Sequence, residues 1–148
     1  MGTRPPSETV LLVDGEAEVL AATREMLEEA GDQILSALNA EEAVRVAAGH
    51  AGPIHLLLTD VVMPRVSGRD LARQLSLPRP EMKILYMSGF TLLRGQQEFS
   101  EAEIGSEPGA PIILKPFTGL RLTQKVREVL DERPPSPFAQ RPDPWGLR

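Results

Sequence analysis

The sequence predicts a doubly wound α/β fold, a five-stranded parallel sheet with helices on both faces. Two observations lead to this prediction. Short apolar runs alternate with segments of helical periodicity along the chain. The apolar runs are continuous rather than alternating with polar residues, which is typical of strands buried on both faces. Strand–helix alternation of this kind joins parallel strands by right-handed crossovers. We therefore expect a three-layer sandwich.

The predicted strands are apolar runs, and the predicted helices carry recognisable start and stop signals. The runs are 10–13, 34–38, 54–58, 84–87 and 112–114. Helical periodicity covers 17–30, 39–49, 67–77 and a segment from about 118. Asn39, with Glu42 three residues later, predicts a capped helix start, and Gly49 predicts its end. The stretch 91–110 predicts at most one short helix.

The length and the distribution of proline set the domain boundaries. A chain of 148 residues is enough for one domain with a core. Residues 1–8 are short and polar and are expected to form a disordered N-terminal tail. Residues 9–131 contain all the predicted strands and helices. Residues 132–148 are rich in proline, which predicts a tail or linker without regular structure.

Composition excludes several function classes. The net charge is −5 and the basic residues are scattered, so a direct nucleic-acid partner is not expected. The chain has no cysteine, which removes disulfides, thiolate zinc sites and thiol nucleophiles. No segment approaches the roughly 20 apolar residues that span a bilayer. We expect a cytoplasmic protein without a membrane segment.

Four polar residues stand just after predicted strands: Asp14, Asp60, Ser88 and Lys115. The carboxyl ends of parallel strands meet at one edge of the sheet, so the fold would gather these side chains. A carboxylate there can attack phosphorus, with Mg²⁺, a lysine and a hydroxyl holding the phosphoryl oxygens. The two histidines, His50 and His55, have no acidic partner at ligand spacing and are not expected to take part.

Four segments carry a family resemblance: LLVDGE (11–16), LLLTDVVMPRVSG (56–68), ILYMSGF (84–90) and ILKPF (113–117). Over residues 9–131 the chain resembles the receiver domains of two-component response regulators and hybrid histidine kinases. The resemblance implies a flavodoxin-like fold. It also implies a phosphoryl group taken from a histidine kinase or histidine phosphotransfer domain, and a switched surface that a downstream protein reads. The chain would not be an enzyme beyond catalysing its own phosphorylation.

The resemblance also implies a role for each site residue. Asp60 would be the phosphoacceptor, Ser88 the switch hydroxyl and Lys115 the phosphate-binding lysine, followed by a cis peptide bond to Pro116. The Mg²⁺ ligands would be Asp14, Asp60 and the backbone carbonyl of Val62. Since Val62 and Phe90 are apolar and would flank the attacking water, a long-lived phosphoryl group is expected.

The sequence differs from the family pattern in three ways. Gly15 replaces the second acidic residue after the first strand, so Mg²⁺ should bind more weakly, unless Glu16 supplies a ligand. Ile112 stands where many receivers carry an aromatic switch residue. The segment between Ser88 and Lys115 is longer than is usual in the family.

Two further functions are weighed against the phosphorylated receiver. The first is a degenerate pseudo-receiver, in which Gly15 marks a lost metal site and the domain docks proteins without phosphorylation. The second is a phosphatase with an aspartate nucleophile, which needs an acid two residues after the nucleophile; Val62 in that position argues against it. The chain is either a stand-alone regulator or a receiver cut from a longer hybrid kinase.

Overall fold

A computed structural model describes residues 8–91, 96–97 and 111–131 of the chain. Its strands are β1 (Thr9–Val13), β2 (Gln33–Ala37), β3 (Leu56–Asp60), β4 (Lys83–Ser88), β5 (Phe90–Thr91), β6 (Gln96–Gln97) and β7 (Ile112–Leu114). The helices of the described residues are α1 (Ala17–Glu29), α2 (Ala40–Ala48), α3 (Gly68–Ser76) and α4 (Gly119–Asp131).

The main sheet has the strand order β2-β1-β3-β4-β7, and all of its neighbouring strands are parallel. The chain runs from β1 to β2 on one side and then returns to place β3 on the other side of β1. This reversal makes the carboxyl ends of β1 and β3 a topological switch point, where ligands of such sheets bind. The predicted five-stranded parallel sheet is confirmed.

Helices cover both faces of this sheet. Leu11 and Leu57 face one core, which they share with residues of α2 and α3. Val10 and Leu12 face the second core, which contains residues of α1 and α4. Successive strand residues point to opposite faces, so the two buried faces explain why the runs are apolar without alternation. The predicted three-layer sandwich is confirmed.

Side-chain caps place the starts of two helices where the sequence predicts them. Asn39 Oδ1 accepts a hydrogen bond from the Glu42 amide at 2.8 Å. The Glu42 carboxylate in turn accepts one from the Leu38 amide at 2.7 Å, one residue before the usual partner in a capping box. Ser67 Oγ accepts from the Asp70 amide at 3.1 Å. These bonds satisfy amides that a helix start leaves without partners.

The predicted third strand, 54–58, is wrong by two residues at each end. Strand β3 begins at Leu56 and includes Asp60, which pairs with Met87 of β4. Ser88 likewise belongs to the ladder and pairs with Leu114. The cause is that hydrophobicity marks the buried part of a strand, whereas backbone hydrogen bonds continue into polar residues at its end.

The stretch 91–110 lies largely outside the described residues. Within it, β5 and β6 form a short antiparallel pair with Phe90 opposite Gln97 and Thr91 opposite Gln96. This pair is not predictable from the sequence, because two-residue strands carry no detectable periodicity.

Arg79 ties the end of α2 to the connection before β4. Its guanidinium donates hydrogen bonds to the carbonyl oxygens of Ala47 at 2.9 Å, His50 at 3.0 Å and Gly52 at 2.9 Å. The last carbonyls of a helix have no partner within it, so a cation there both satisfies them and opposes the negative end of the helix dipole.

We expect Arg79→Ala to lower the free energy of unfolding by about 2 kcal/mol, because it leaves three half-buried carbonyl groups without their donor. Urea unfolding followed by circular dichroism measures the change. Arg73→Ala is the matched control, since Arg73 makes an exposed ion pair with Asp70 at 3.4 Å. An exposed pair of this kind contributes below about 0.5 kcal/mol. Equal effects of the two substitutions would contradict the assigned role of Arg79.

Candidate functional site

Asp14 is the most buried ionisable residue of the candidate site. It directly follows β1, and its side chain is 0% exposed. Oδ1 accepts a hydrogen bond from the Glu16 amide at 2.9 Å, and Oδ2 accepts one from Lys115 Nζ at 2.8 Å. A buried carboxylate needs such partners to remain ionised. Asp14 is not the N-cap of α1, which is Glu16.

Asp60 ends β3, the strand next to β1, so its carboxylate stands beside that of Asp14. The Asp60 side chain is 15% exposed. Oδ1 lies 2.7 Å from Lys115 Nζ, and Oδ2 accepts a hydrogen bond from the Gly15 amide at 3.3 Å. The carboxylate is therefore held on two sides and open to solvent on a small third side.

Lys115 joins the two carboxylates. It follows β7, which is separated from β3 by β4 in the sheet order. Neighbouring strands are about 4.8 Å apart, so its side chain crosses the end of β4 to reach Asp60. Its own amide donates to the Ser88 carbonyl oxygen at 2.8 Å. The Lys115–Pro116 peptide bond is cis, as predicted.

Ser88 and Val62 complete the set of predicted site residues. Ser88 is the last residue of β4, is 1% exposed, and lies between β3 and Lys115 in the sheet order. Its hydroxyl donates a long hydrogen bond of 3.4 Å to the Gly89 carbonyl oxygen. Val62 follows β3 by two residues and is 56% exposed. The structure thus brings Asp14, Asp60 and Lys115 into direct contact and places Ser88 and Val62 on adjacent backbone.

Burial and the neighbouring groups together shift the pKa of both Asp60 and Lys115. Burial raises the pKa of Asp60 to about 6; the hydrogen bond from Lys115 lowers it, and the negative charge of Asp14 raises it. Burial lowers the pKa of Lys115, but its hydrogen bonds to Asp14 and Asp60 outweigh burial, so the pKa lies above its ordinary value. Above about pH 6 the Asp60 carboxyl group is therefore mostly ionised, because its pKa is about 6.

The donor set at this edge fits a hard divalent cation, with fewer charges than such sites usually have. Asp14 and Asp60 contribute carboxylate oxygens, and each of these oxygens still has a lone pair beyond its present hydrogen bond. Gly15 adds no ligand. Within the described residues no group of three or more His, Cys, Asp or Glu side chains is placed to hold a metal ion.

Sequence reasoning missed the amide donors of the site. The Gly15 amide binds Asp60 and the Glu16 amide binds Asp14, yet the sequence indicated Gly15 only as a missing acid. Backbone amides carry no residue-type signal, so only the turn after β1 reveals them. His55 lies at the other end of β1, where its Nδ1 accepts from the Thr9 amide at 2.9 Å. That contact is part of the strand framework.

Known proteins share this sequence pattern and this arrangement of strands and helices. The profile of the response regulator receiver domain matches residues 10–127. The sensor kinase CckA of Brucella abortus (strain 2308) is 27% identical over 127 residues, which cover 86% of this chain and 13% of CckA. The DNA-binding transcriptional regulator NtrC of Rhizobium meliloti (strain 1021) is 33% identical over 125 residues, covering 84% of this chain and 24% of NtrC.

A solved structure gives the same result. The crystal structure of a response regulator receiver protein from Sinorhizobium medicae WSM419 has a TM-score of 0.67 and 29% identity, covering 84% of this chain and 94% of that one. The chain thus spans a small part of the two curated relatives and nearly all of the solved receiver. Among the described residues, no helix is long and apolar enough to cross a membrane.

The raised pKa of Asp60 predicts how stability depends on pH without divalent cations. Because the pKa is about 6 in the folded protein against an ordinary 3.8, protonation favours the folded state. That contribution is complete below about pH 4 and is lost as the pH rises through about 6. We expect Asp60→Asn, which cannot ionise, to be more stable than wild type by a margin that grows over this interval and then stays constant. Urea unfolding in EDTA measures the margin.

Asp131→Asn serves as a control of opposite sign. Its hydrogen bond from Arg127 lowers the pKa of Asp131, so ionisation of this residue favours the folded state. The wild type should therefore gain stability relative to Asp131→Asn as the pH rises. A margin for Asp60→Asn that is independent of pH would show that Asp60 is not held in a buried, charge-coupled site.

Proposed function

This chain belongs to the response regulator receiver domain family, and we propose that Asp60 accepts a phosphoryl group from a histidine kinase or histidine phosphotransfer domain. One observation carries the proposal: Lys115 Nζ lies 2.7 Å from Asp60 and 2.8 Å from Asp14 at the carboxyl edge of the sheet. A nucleophilic carboxylate, a second carboxylate and a cation at such distances match what phosphoryl transfer to an acid requires.

In the proposed step an oxygen of Asp60 attacks the phosphorus of a phosphohistidine. A phosphorus–oxygen bond forms, the phosphorus–nitrogen bond breaks, and the imidazole leaves with the electron pair. With a pKa of about 6, Asp60 is ionised at neutral pH and is available as a nucleophile. Lys115 stands beside the reacting oxygen and balances charge on the phosphoryl group. The partial exposure of Asp60 leaves an approach for the donor.

Asp14, Asp60 and the backbone carbonyl of Val62 are the residues that would hold Mg²⁺. When bound, the cation neutralises phosphoryl oxygens and fixes their orientation. Asp14 supports this assignment because it is buried and its carboxylate is fixed by the Glu16 amide. Since Gly15 offers no carboxylate, we propose that Mg²⁺ binds more weakly than at a site with three acids.

Ser88 is the proposed switch residue. Within the described part of the chain, its hydroxyl makes only a long hydrogen bond to the Gly89 carbonyl oxygen, so little is lost when it turns to a phosphoryl oxygen on Asp60. That movement would draw in the backbone that leads from β4 into β5. A downstream protein reads the altered surface, which is how a local charge produces a distant signal. One relative is a sensor kinase and another is a transcriptional regulator. These two relatives support a downstream partner that is either a kinase or a regulator.

A docking function without phosphorylation is the second candidate, and Gly15 is the observation that favours it. A site with two carboxylates and one ammonium is charge-balanced to within one negative charge without any metal ion. In a protein that is no longer phosphorylated, these ion pairs would still stabilise the fold. The two experiments that follow separate the candidates.

We expect incubation with phosphoramidate or acetyl phosphate and Mg²⁺ to add one phosphoryl mass to the intact protein. Asp60→Asn should abolish the addition, because an amide is not a nucleophile toward phosphorus. Lys115→Ala should slow it by about a hundredfold or more, since a preorganised charge at the reacting oxygen is lost. Intact mass spectrometry over time measures all three proteins.

Asp70→Asn is the control, because this acid is exposed and lies outside the candidate site. It should react at the wild-type rate. An Asp60→Asn protein that still gains the mass would refute the assignment. If wild type gains no mass at any Mg²⁺ concentration, nor from a cognate kinase, the docking function is the better account.

We expect Gly15→Asp to tighten Mg²⁺ binding by about tenfold or more, because it adds a charged ligand to the site. Apart from its chain neighbours, the nearest atom to a Cβ at Gly15 would be the Leu38 carbonyl oxygen at 3.9 Å, so a Cβ fits without a clash. Titration followed by amide NMR shifts gives the dissociation constant. Gly15→Asn is the uncharged control, and equal tightening by both would show that charge is not what the site lacks.

A further inference from the structure

Gly68 makes a contact with the site that no other residue type could make. It is the first residue of α3, and it is buried. A Cβ atom placed on Gly68 would lie 1.9 Å from the carbonyl oxygen of Asp60 and 2.9 Å from its carbonyl carbon. It would also lie 3.1 Å from Val61 Cα. All three neighbours are backbone atoms, which cannot rotate away as a side chain can.

Close approach, and not backbone conformation, is what requires glycine here. Among the described residues with positive φ are Gly31 and Arg65, and Gly68 is not one of them. Cβ atoms at Gly15, Gly49 and Gly119 would have their nearest contacts at 3.9, 3.6 and 3.5 Å, all ordinary van der Waals distances. Glycine permits such an approach between two stretches of backbone because it has no side chain.

The backbone that follows Asp60 is hydrogen-bonded both to β4 and to the start of α3. The Val61 amide donates to the Met87 carbonyl oxygen of β4 at 3.1 Å, and the Val61 carbonyl accepts from the Gly68 amide at 2.7 Å. The first turn of α3 cannot easily retreat, since Leu71 is fully buried in the core below it. The peptide of Asp60 is thus enclosed between β4 and the start of α3.

We infer that Gly68 is a positioning residue for Asp60. The start of α3 closes against the Asp60 peptide, and this contact sets where the carboxylate stands relative to Lys115 Nζ and the Gly15 amide. The inference deepens the proposed function and, for its effect on phosphorylation, rests on it. A methyl group at position 68 must displace the peptide or the helix start by at least about 1 Å, because its 1.9 Å contact with the Asp60 carbonyl oxygen must open beyond 3.0 Å. A misplacement of that size costs about a hundredfold in a reaction rate.

The test compares Gly68→Ala with two control variants of the full chain. Gly49→Ala makes the same substitution at a helix end, where its nearest contact is 3.6 Å. Leu75→Ala removes core contacts from α3 without touching Asp60. Rates of phosphorylation by phosphoramidate with Mg²⁺ are measured by intact mass, at a temperature where unfolding curves show every variant folded. We expect Gly68→Ala to react at least about tenfold more slowly than wild type. Both controls should remain within about twofold of wild type.

A second measurement separates positioning from general stability. The Gly15 amide donates to Asp60 Oδ2, so its NMR resonance reports where that carboxylate stands. We expect the resonance to shift in Gly68→Ala and to stay in place in both controls. A wild-type rate together with an unshifted Gly15 amide would overturn the inference, as would a loss of rate in Leu75→Ala equal to that in Gly68→Ala.

Failure of the proposed function can be told apart from failure of this inference. If wild type is not phosphorylated, the proposed function fails, and the Gly15 amide shift alone decides whether Gly68 positions Asp60. If Gly68→Ala does not fold, Ser67→Ala replaces it. This substitution removes the cap on the Asp70 amide and loosens the same helix start without adding an atom. A rate several-fold below wild type and a shifted Gly15 amide would then support the inference, and no change in either would overturn it.

Discussion

Lys115 holds together the carboxyl edge of the sheet by sharing its ammonium between two carboxylates. Asp14 is inaccessible to solvent, Asp60 is partly buried, and the two stand on neighbouring strands. Two such charges side by side destabilise a fold unless a cation lies between them. Leaving a buried charge without its partner costs about 3–5 kcal/mol. The strand order and the bond from the Lys115 amide to Ser88 both serve to place one ammonium at this point.

The same interaction sets the chemistry of the site. A lysine that already contacts the nucleophile need not move far when charge appears on a phosphoryl group. Burial keeps the pKa of Asp60 near 6, which leaves the carboxylate ionised at neutral pH and more basic than a solvated aspartate. Gly15 changes this balance by removing a third acid and offering only its amide, which binds Asp60. The site therefore depends less on a metal ion for its charge balance than a site with three acids does.

Much of this arrangement could be predicted from the sequence, and for a definite reason. Continuous apolar runs mark strands buried on both faces, and the residues after them meet at one edge whatever the details of the loops. Asp14, Asp60, Ser88 and Lys115 were predicted in this way, and the first, second and fourth are in direct contact. The strand ends were less accurate, because Asp60 and Ser88 are themselves part of the backbone ladder.

Contacts made by backbone atoms could not be predicted. The amides of Gly15 and Glu16 bind the two carboxylates, and the Asp60 carbonyl lies against Gly68. Each depends on how a turn closes in three dimensions, and residue type alone does not encode that. The bond between Arg79 and the end of α2 is of the same kind, since its three acceptors are carbonyl groups.

Borohydride trapping of the phosphorylated protein tests the central claim most directly. Borohydride reduces an acyl phosphate to an alcohol, so a phosphorylated aspartate becomes homoserine and can be located by peptide sequencing. The protein is treated with phosphoramidate and Mg²⁺, reduced and digested. The account predicts homoserine at position 60 and aspartate retained at position 14. Homoserine at position 14, or none at position 60 in a protein that carries the added phosphoryl mass, would contradict it.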